Sequence, residues 1–443
     1  MSISSPEIRV DPIPTERCSV IASPRCHNDP VTIDANAVDA AAQRLAGVVT
    51  RTPLQLNDRL SAATRASIWL KREDLQPVRS YKIRGAYNVI AQLDASEREA
   101  GVICASAGNH AQGVAFACAR LGIRGRIFVP ATTPRQKRER IIALGEGRVE
   151  LVVTGDTYDE AAAASLAEAA QTGASVVPAF DHPDTIVGQG TVAKEIVEQL
   201  GRAPDVLIAP VGGGGMISGC LAYLAERYPQ TLVVGAEPAA AASMAAALAA
   251  GQPVQLDRID TFVDGAAVRR AGDLTFAEVQ KHAPQMVAVP EGRICSEMLA
   301  LYQTEGIVTE PAGALAAAAL GLYQPEPGQT VVVLVSGGNN DVSRYAEIVE
   351  RSLVYEGRKH YFLVNFPQEP GALRRFLDDV LGPDDDITLF EYVKRSNRET
   401  GPALVGVELG DPTDLQGLLD RMKSSRLIVD RIAPDSPFYR FLV

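Results

Sequence analysis

Histidine and cysteine are scarce and scattered, with five and six residues in a chain of 443 and no C-x-x-C pair. That spacing gives a zinc site little support, and six cysteines along so long a chain make no disulfide framework. Cys104, Cys118, Cys220 and Cys295 stand in apolar, Ala-rich or Gly-rich surroundings, as small buried hydrophobes do. No apolar run reaches membrane-spanning length. The opening MSISSPEIRVDPIPTERC holds no apolar core of signal-peptide length, so a cytoplasmic chain is expected. No Lys/Arg-rich run stands out against a net charge of −11, which argues against nucleic acid or an anionic membrane as partner. What is present is the apolar and charged composition of an ordinary globular protein, with length for two or three domains.

Residues 1–33 are rich in Ser, Pro and charge and read as a flexible extension. An Ala-rich helical pattern runs from Thr32 through Leu45. Short β-branched runs then alternate with helix-patterned segments: VICA at 102–105, RIFV at 126–129, VELVV at 149–153, DVLIAPV at 205–211, TLVVGAE at 231–237 and TVVVLVS at 330–336. Continuous apolar strands separated by helices predict an α/β body of open, mostly parallel sheets covered on both faces. This body is expected over 34–351. Beyond about 355 the order becomes HYFLVNF, PGALRRFLDDVL, ITLFEYVKR, ALVGVEL, DLQGLLDRMKS and LIVDRI. That βαββαβ succession predicts a ferredoxin-like α+β domain over 358–443, reached through SLVYEGRKH.

Several strands run straight into glycine, and in open α/β sheets ligands gather at the carboxyl ends of strands. VGGGGMISG at 211–219 follows one such strand and opens a helix. Four glycines can turn their N–H groups around an anion, and the helix start adds its positive end. G-x-G-x-x-G fails in each frame because Met216, Ile217 or Ser218 stands where glycine is required. The P-loop fails for want of Gly-Lys-Ser/Thr. A tight strand–helix turn is the competing reading. SAGNHAQG at 106–113 offers Ser106 and Asn109 either as helix caps or as part of a carboxylate-binding loop. His110 alone fits a structural histidine at least as well. SGGNND at 336–341 gives a neutral hydroxyl at Ser336, and EPAGA at 310–314 reads as a helix start with Pro in its first turn. Lys82, between Tyr81 and Ile83 in VRSYKIRGAYNVI, is sheltered as a lysine that must lose its proton should be. Singly, each segment has a structural explanation as good as the functional one. Together they converge on a sheltered lysine, a phosphate nest without cations, a carboxylate loop and a neutral serine, which pyridoxal phosphate chemistry on an amino acid requires.

The ordered series SYKIRGAYN, SAGNHAQG, FDHPDTIVGQGT, VGGGGMISG, VGAEP, FVDGAAV, EPAGA and SGGNND resembles that of the fold-type II pyridoxal-phosphate enzymes, and most closely the biosynthetic threonine dehydratases. The likeness covers about 34–351. The segment from KHYFLVNF onward resembles their ACT-like regulatory domain, in one copy. The resemblance implies a two-lobed body of the tryptophan synthase β type, with a smaller lobe at about 85–190. It implies Lys82 as the lysine that bonds the cofactor aldehyde and later takes the α-proton, with Tyr81 against the cofactor ring. Asn109 would hydrogen-bond the ring's 3-hydroxyl oxygen. Gly212, Gly213, Gly214, Gly215 and Met216 would cradle the phosphate, and Ser336 would face the pyridine nitrogen. Ser106, Ala107, Gly108 and His110 would take the substrate carboxylate, with Ser106 counted among the catalytic residues and Glu310 near the substrate side chain. VGAEP continues into alanines, without the Asp that metal-binding relatives carry, so no metal is expected at Glu237.

The implied reaction is β-elimination of L-threonine, with L-serine as the neighbouring substrate, to 2-oxobutanoate and ammonia as the first committed step of isoleucine synthesis. The implied effectors are isoleucine, with valine opposing it, on a homodimer or homotetramer. Two alternatives stay open. One is a serine dehydratase, serine racemase or β-replacement enzyme on the same scaffold. The other is a catalytically idle amino-acid sensor.

Overall fold

The computed structural model describes residues 32–392, 399–425 and 427–433, with 436, 438, 439 and 442. All but the last two residues of the expected N-terminal extension, and the VKR that ends ITLFEYVKR, lie outside them.

Each run read as a strand is one. Six strands form the larger sheet, in the order Leu54–Leu56, Ser67–Arg72, Thr330–Val335, Val206–Pro210, Leu232–Pro238 and Gln285–Val289. Every pairing in it is parallel except the first edge pair. Alternation across the pleat explains the continuous apolar runs. Ile68, Leu70, Ile208, Val331 and Val333 enter one core, which holds the wholly buried helix Pro311–Ala318. Leu207, Ala209, Val332 and Leu334 enter another on the opposite face, with residues of helices Ala35–Leu45, Pro183–Leu200 and Gly215–Arg227. Alanine and glycine along these helices let them lie close to the sheet and to one another. The first helix starts at Ala35 rather than Thr32, because Asp34 takes the N-cap and accepts from the N–H of Ala37 at 2.8 Å.

A second sheet holds Val149–Val153, Gly125–Val129, Val102–Ala105 and Ser175–Val176, all parallel. Helix Lys82–Ile90 packs on it through Ala86, Val89 and Ile90, together with helix Asn109–Leu121. The third sheet is antiparallel, in the order Asp386–Tyr392, Thr400–Glu408, Lys359–Pro367, Ile428–Ile432. With helices Ala372–Val380 and Leu415–Ser424 over one face, this is the ferredoxin-like arrangement. Helix Tyr345–Tyr355 runs across the boundary expected at 351 and leads directly into the first strand of this third sheet.

One polar island sits inside the body. Arg84, two residues along from Lys82, grips Glu73 with two bonds of 2.8 Å and reaches Glu195 at 2.9 Å. Lys71 also bonds Glu195, and it donates to Thr52 O at 2.8 Å. Lys71, Glu73 and Arg84 are essentially inaccessible, so the two positive and two negative charges neutralise each other out of water. Among the described residues no helix is long and apolar enough to cross a membrane.

Candidate active site

The carboxyl ends of the parallel strands open into a cavity of about 1600 Å³. All fourteen residues singled out from the sequence line it: Tyr81, Lys82, Ser106, Ala107, Gly108, Asn109, His110, Gly212, Gly213, Gly214, Gly215, Met216, Glu310 and Ser336.

Lys82 is the first residue of its helix, and the backbone just before it is stitched to the loop after Thr330–Val335. Ser80 bridges Gly337, and the N–H of Tyr81 donates to Ser336 O at 3.1 Å. The Lys82 amine donates to Ala179 O at 2.9 Å and lies 5.3 Å from the centre of the Tyr81 ring. Burial brings its pKa down to about 8, against the opposing pull of Glu310. This is the desolvated lysine that its neighbours suggested.

The glycine run forms a cradle. Gly214 is the N-cap of helix Gly215–Arg227 at φ +94, where no side chain caps the helix and the first-turn N–H groups have no intrahelical partners. A β-carbon on Gly213 would stand 2.5 Å from the Phe180 ring. One on Gly214 would stand 2.6 Å from Met244 Cε and 2.8 Å from Thr275 Cβ. Bare backbone is the only chain that fits.

The loop at 106–110 does not cap its helix with side chains. Gly108 holds the N-cap without a side-chain bond, and Ser106 Oγ accepts from the Gly108 N–H at 3.3 Å. Asn109 turns across the cavity instead, donating to Glu310 Oε1 at 2.5 Å and accepting from Asn339 Nδ2 at 2.7 Å. His110 donates through Nε2 to Val177 O at 2.8 Å, and burial with the Lys82 charge pushes its pKa down to about 4. A neutral imidazole whose one N–H is committed to a carbonyl leaves a carboxylate only the backbone N–H at this position, which is the donor that the resemblance implies.

Glu310 is the N-cap of helix Pro311–Ala318, yet its carboxylate makes no capping bond and reaches Asn109. Burial, with the Asp264 charge, raises its pKa to about 7. Ser336 donates to Ala312 O at 3.0 Å and is buried. Lys137, on helix Arg135–Gly145, pairs with Asp264 at 2.6 Å, and both line the cavity. Glu237 accepts from the N–H groups of Met244 and Ala245 at 2.7 and 2.9 Å, so its carboxylate serves the start of helix Ser243–Ala250.

Sequence reading missed Asn339, Phe180 and Thr275. Asn339 stands inside the SGGNND junction and had a signal there. The other two touch the cradle only through folds of the chain far from it in sequence.

With this geometry in view, residues 45–337 match the model of the pyridoxal-phosphate dependent enzyme family, and residues 350–442 match that of the C-terminal regulatory domain of threonine dehydratase. The chain belongs to the biosynthetic threonine dehydratase family of pyridoxal-phosphate-dependent enzymes. It is 62% identical over 409 residues to a Mycobacterium tuberculosis protein named L-threonine dehydratase biosynthetic IlvA, covering 92% of this chain and 95% of that one. The Corynebacterium glutamicum protein of the same name is 55% identical over 415 residues, covering 93% and 95%. Among solved structures, the processed form of threonine deaminase isoform 2 from Solanum lycopersicum superposes with a TM-score of 0.68 at 36% identity, over 73% of this chain and 96% of that one. A maize serine racemase gives 0.67 at 30% identity, over 73% and 98%. The residues present fit the family's cofactor. An amine with a lowered pKa and a bare-backbone cradle that leaves no room for a β-carbon are what an aldehyde and a phosphate on one small ring require.

Proposed function

We propose that this enzyme converts L-threonine to 2-oxobutanoate and ammonia, losing water by β-elimination and regaining it on hydrolysis, as the first committed step of isoleucine synthesis. The observation that carries the reading is a buried amine near neutrality, Lys82, facing the same cavity as a glycine cradle and a polar chain from Glu310 through Asn109 to Asn339.

In this reading Lys82 would hold the cofactor aldehyde, residues 212–216 would hold its phosphate and Tyr81 would lie against its ring. Asn109 would bond the ring hydroxyl oxygen, and Ser336 would meet the ring nitrogen. When bound, the cofactor supplies an electron sink for a carbanion at Cα and, through its phosphate, an acid titrating near neutrality. As a free amine with a pKa of about 8, Lys82 would be neutral often enough to take the Cα proton at physiological pH. Ser106 and the backbone of Ala107 and Gly108 orient the carboxylate. Glu310, with its pKa near 7, carries a proton part of the time and sits beside the substrate side chain. The Cα–H and Cβ–O bonds break, water leaves, and hydrolysis of the released enamine yields the 2-oxo acid and ammonia. Glu310 and Ser336 are buried and Lys82 is half-buried, which limits the access of bulk water to these groups.

Isoleucine, opposed by valine, is the proposed effector pair at the C-terminal domain, on a homodimer or homotetramer in the cytoplasm. Support for coupling comes from the cavity wall itself. Ser436 and Tyr439 from beyond the third sheet line the same cavity as Lys82. Tyr439 packs edge-on against Tyr361 at 6.0 Å, and Tyr361 donates to Glu350 at 2.7 Å. On the same helix, Arg351 pairs with Asp260 at 3.0 Å and covers the Phe262 ring at 4.3 Å, two residues before Asp264. An effector that favours one seating of this domain therefore has a route to the wall.

The test is deamination of threonine and of serine, read as 2-oxobutanoate against pyruvate, with and without isoleucine. We predict threonine as the better substrate and no turnover for Lys82→Ala. Borohydride reduction followed by peptide mapping should mark Lys82, and an active enzyme unlabelled there would overturn the assignment. A serine-specific enzyme indifferent to isoleucine would favour the serine dehydratase or racemase reading.

A further inference from the structure

FDHPDTIVGQGT begins with Phe180 and Asp181, which follow directly on Ala179. They lie at the seam between the reactive lysine and the cradle. Ala179 accepts the Lys82 amine at 2.9 Å, and the Phe180 ring fills the space beside Gly213. Asp181 accepts from three successive backbone N–H groups, those of Asp273 at 2.9 Å, Leu274 at 2.9 Å and Thr275 at 3.1 Å. These open helix Asp273–His282, whose own N-cap is Gly272, a residue without a side chain to cap it. A β-carbon on Gly272 would strike the Asp181 carboxylate, so the cap is supplied from about ninety residues away and the local sequence leaves room for it.

That helix start then acts on the cradle. Thr275 is fully buried and donates its hydroxyl to Gly213 O at 2.6 Å, while its backbone carbonyl accepts from Ser218 Oγ at 3.1 Å. Gly272 N–H also approaches Gly213 O, at 3.5 Å. In a trans peptide the C=O and the following N–H point in opposite directions. Holding the Gly213 carbonyl toward Thr275 therefore turns the Gly214 N–H to the side away from Thr275. A donor is fixed before any anion arrives, and no reorganisation is left for the moment of binding.

We propose that Asp181 is a positioning residue for the phosphate end of the cofactor. By holding the 272–275 turn against Gly213 it orients the cradle, while its neighbours Phe180 and Ala179 set the span between cradle and lysine. The proposal rests on the placement of the phosphate at glycines 212–215. It adds a residue that touches neither cofactor nor substrate.

The experiment uses full-length protein, stripped of cofactor and retitrated with pyridoxal phosphate. Affinity is read from the absorbance of the lysine-bound form, phosphate environment from the ³¹P resonance, and stability of the stripped protein from its melting temperature. Asp181→Asn and Thr275→Val should each weaken cofactor binding about tenfold and move the ³¹P signal, the loss expected for a hydrogen bond that preorganises a charged site. Thr275→Ser, which keeps the hydroxyl, should stay within about twofold of wild type. The double variant should lose less than the product of the two, because both act on one peptide group. Lowered melting temperatures with unchanged affinity and ³¹P signal would overturn the proposal. If Asp181→Asn fails to fold, the Thr275→Val and Thr275→Ser pair decides alone. Gly213→Ala separates this idea from the one beneath it. Affinity lost at Gly213 but kept at Asp181 and Thr275 refutes the brace, whereas affinity kept at all three refutes the phosphate placement.

Discussion

Replacing Arg84 by methionine removes one charge from a buried set of four. Wild-type Arg84 makes two 2.8 Å bonds to Glu73, one of 2.9 Å to Glu195 and one of 3.2 Å to Thr191. Methionine fills much of the volume but leaves two buried carboxylates, Glu73 wholly and Glu195 largely, to share the single ammonium of Lys71. Removing one partner of a buried pair costs about 3–5 kcal/mol, because the remaining charge is stranded away from water. Glu73 makes this testable by pH. Arg84 holds its carboxyl below the ordinary range although burial alone would raise it. In wild type the depressed group contributes stability above its unfolded pKa, and loses it as pH falls through the folded value. In Arg84→Met burial prevails and the folded pKa rises above the unfolded one. The variant's deficit is then largest near pH 7 and shrinks toward pH 5, as a proton neutralises the stranded group. Trp69, the single tryptophan, lies on the strand that carries Lys71 and reports unfolding in urea. Adding Glu73→Gln should recover about half of the loss or more. A deficit below about 1 kcal/mol, or one equal at pH 5 and pH 7, would refute the reasoning.

Other outcomes follow from the site. In stripped enzyme the rate of bonding to pyridoxal phosphate needs the neutral amine of Lys82, so it should rise with pH through a midpoint near 8. Glu310→Gln should move that midpoint down, because the Glu310 charge favours the ammonium, and a wild-type midpoint above 10 would contradict the burial argument. Asn339→Ala removes the donor that fixes Asn109 and should lower kcat/KM about tenfold without changing the melting temperature by more than a few degrees, and unaltered kinetics would exclude it from the site. Asp260→Asn weakens the Arg351 contact on the cavity wall. It should raise the isoleucine concentration needed for half-inhibition while leaving uninhibited turnover within about twofold, and an unchanged isoleucine response would remove this route.

Much of the architecture was legible because its cause is local. A strand buried on both faces must read as a continuous apolar run, and DVLIAPV or TVVVLVS can be little else. The cradle was legible for a related reason: four consecutive glycines are tolerated only where side chains are excluded, and the walls formed by Phe180, Met244 and Thr275 show what excludes them. Sequence left two readings open where a residue had two polar options. Asn109 is a good cap by type, but the buried Glu310 carboxylate, brought beside it from two hundred residues away, is the stronger partner. The His110 ring could by type be structural or a ligand, and Val177 O takes its donor. The Arg84 island had no signature at all. Each member reads as a surface charge, and only the crossing of strand Ser67–Arg72 with helices Lys82–Ile90 and Pro183–Leu200 puts them together.

Strand Thr330–Val335 lies between Ser67–Arg72 and Val206–Pro210. During synthesis the ribosome releases the first of these strands long before its neighbour exists, while the four strands of the second sheet, all between residues 102 and 176, can already assemble. The apolar edge of Ser67–Arg72 must wait for some 260 residues of chain, a delay that slows folding and leaves a sticky strand open to other polypeptides. Chaperones that shield such edges will therefore matter more for the yield of this enzyme than for its final stability.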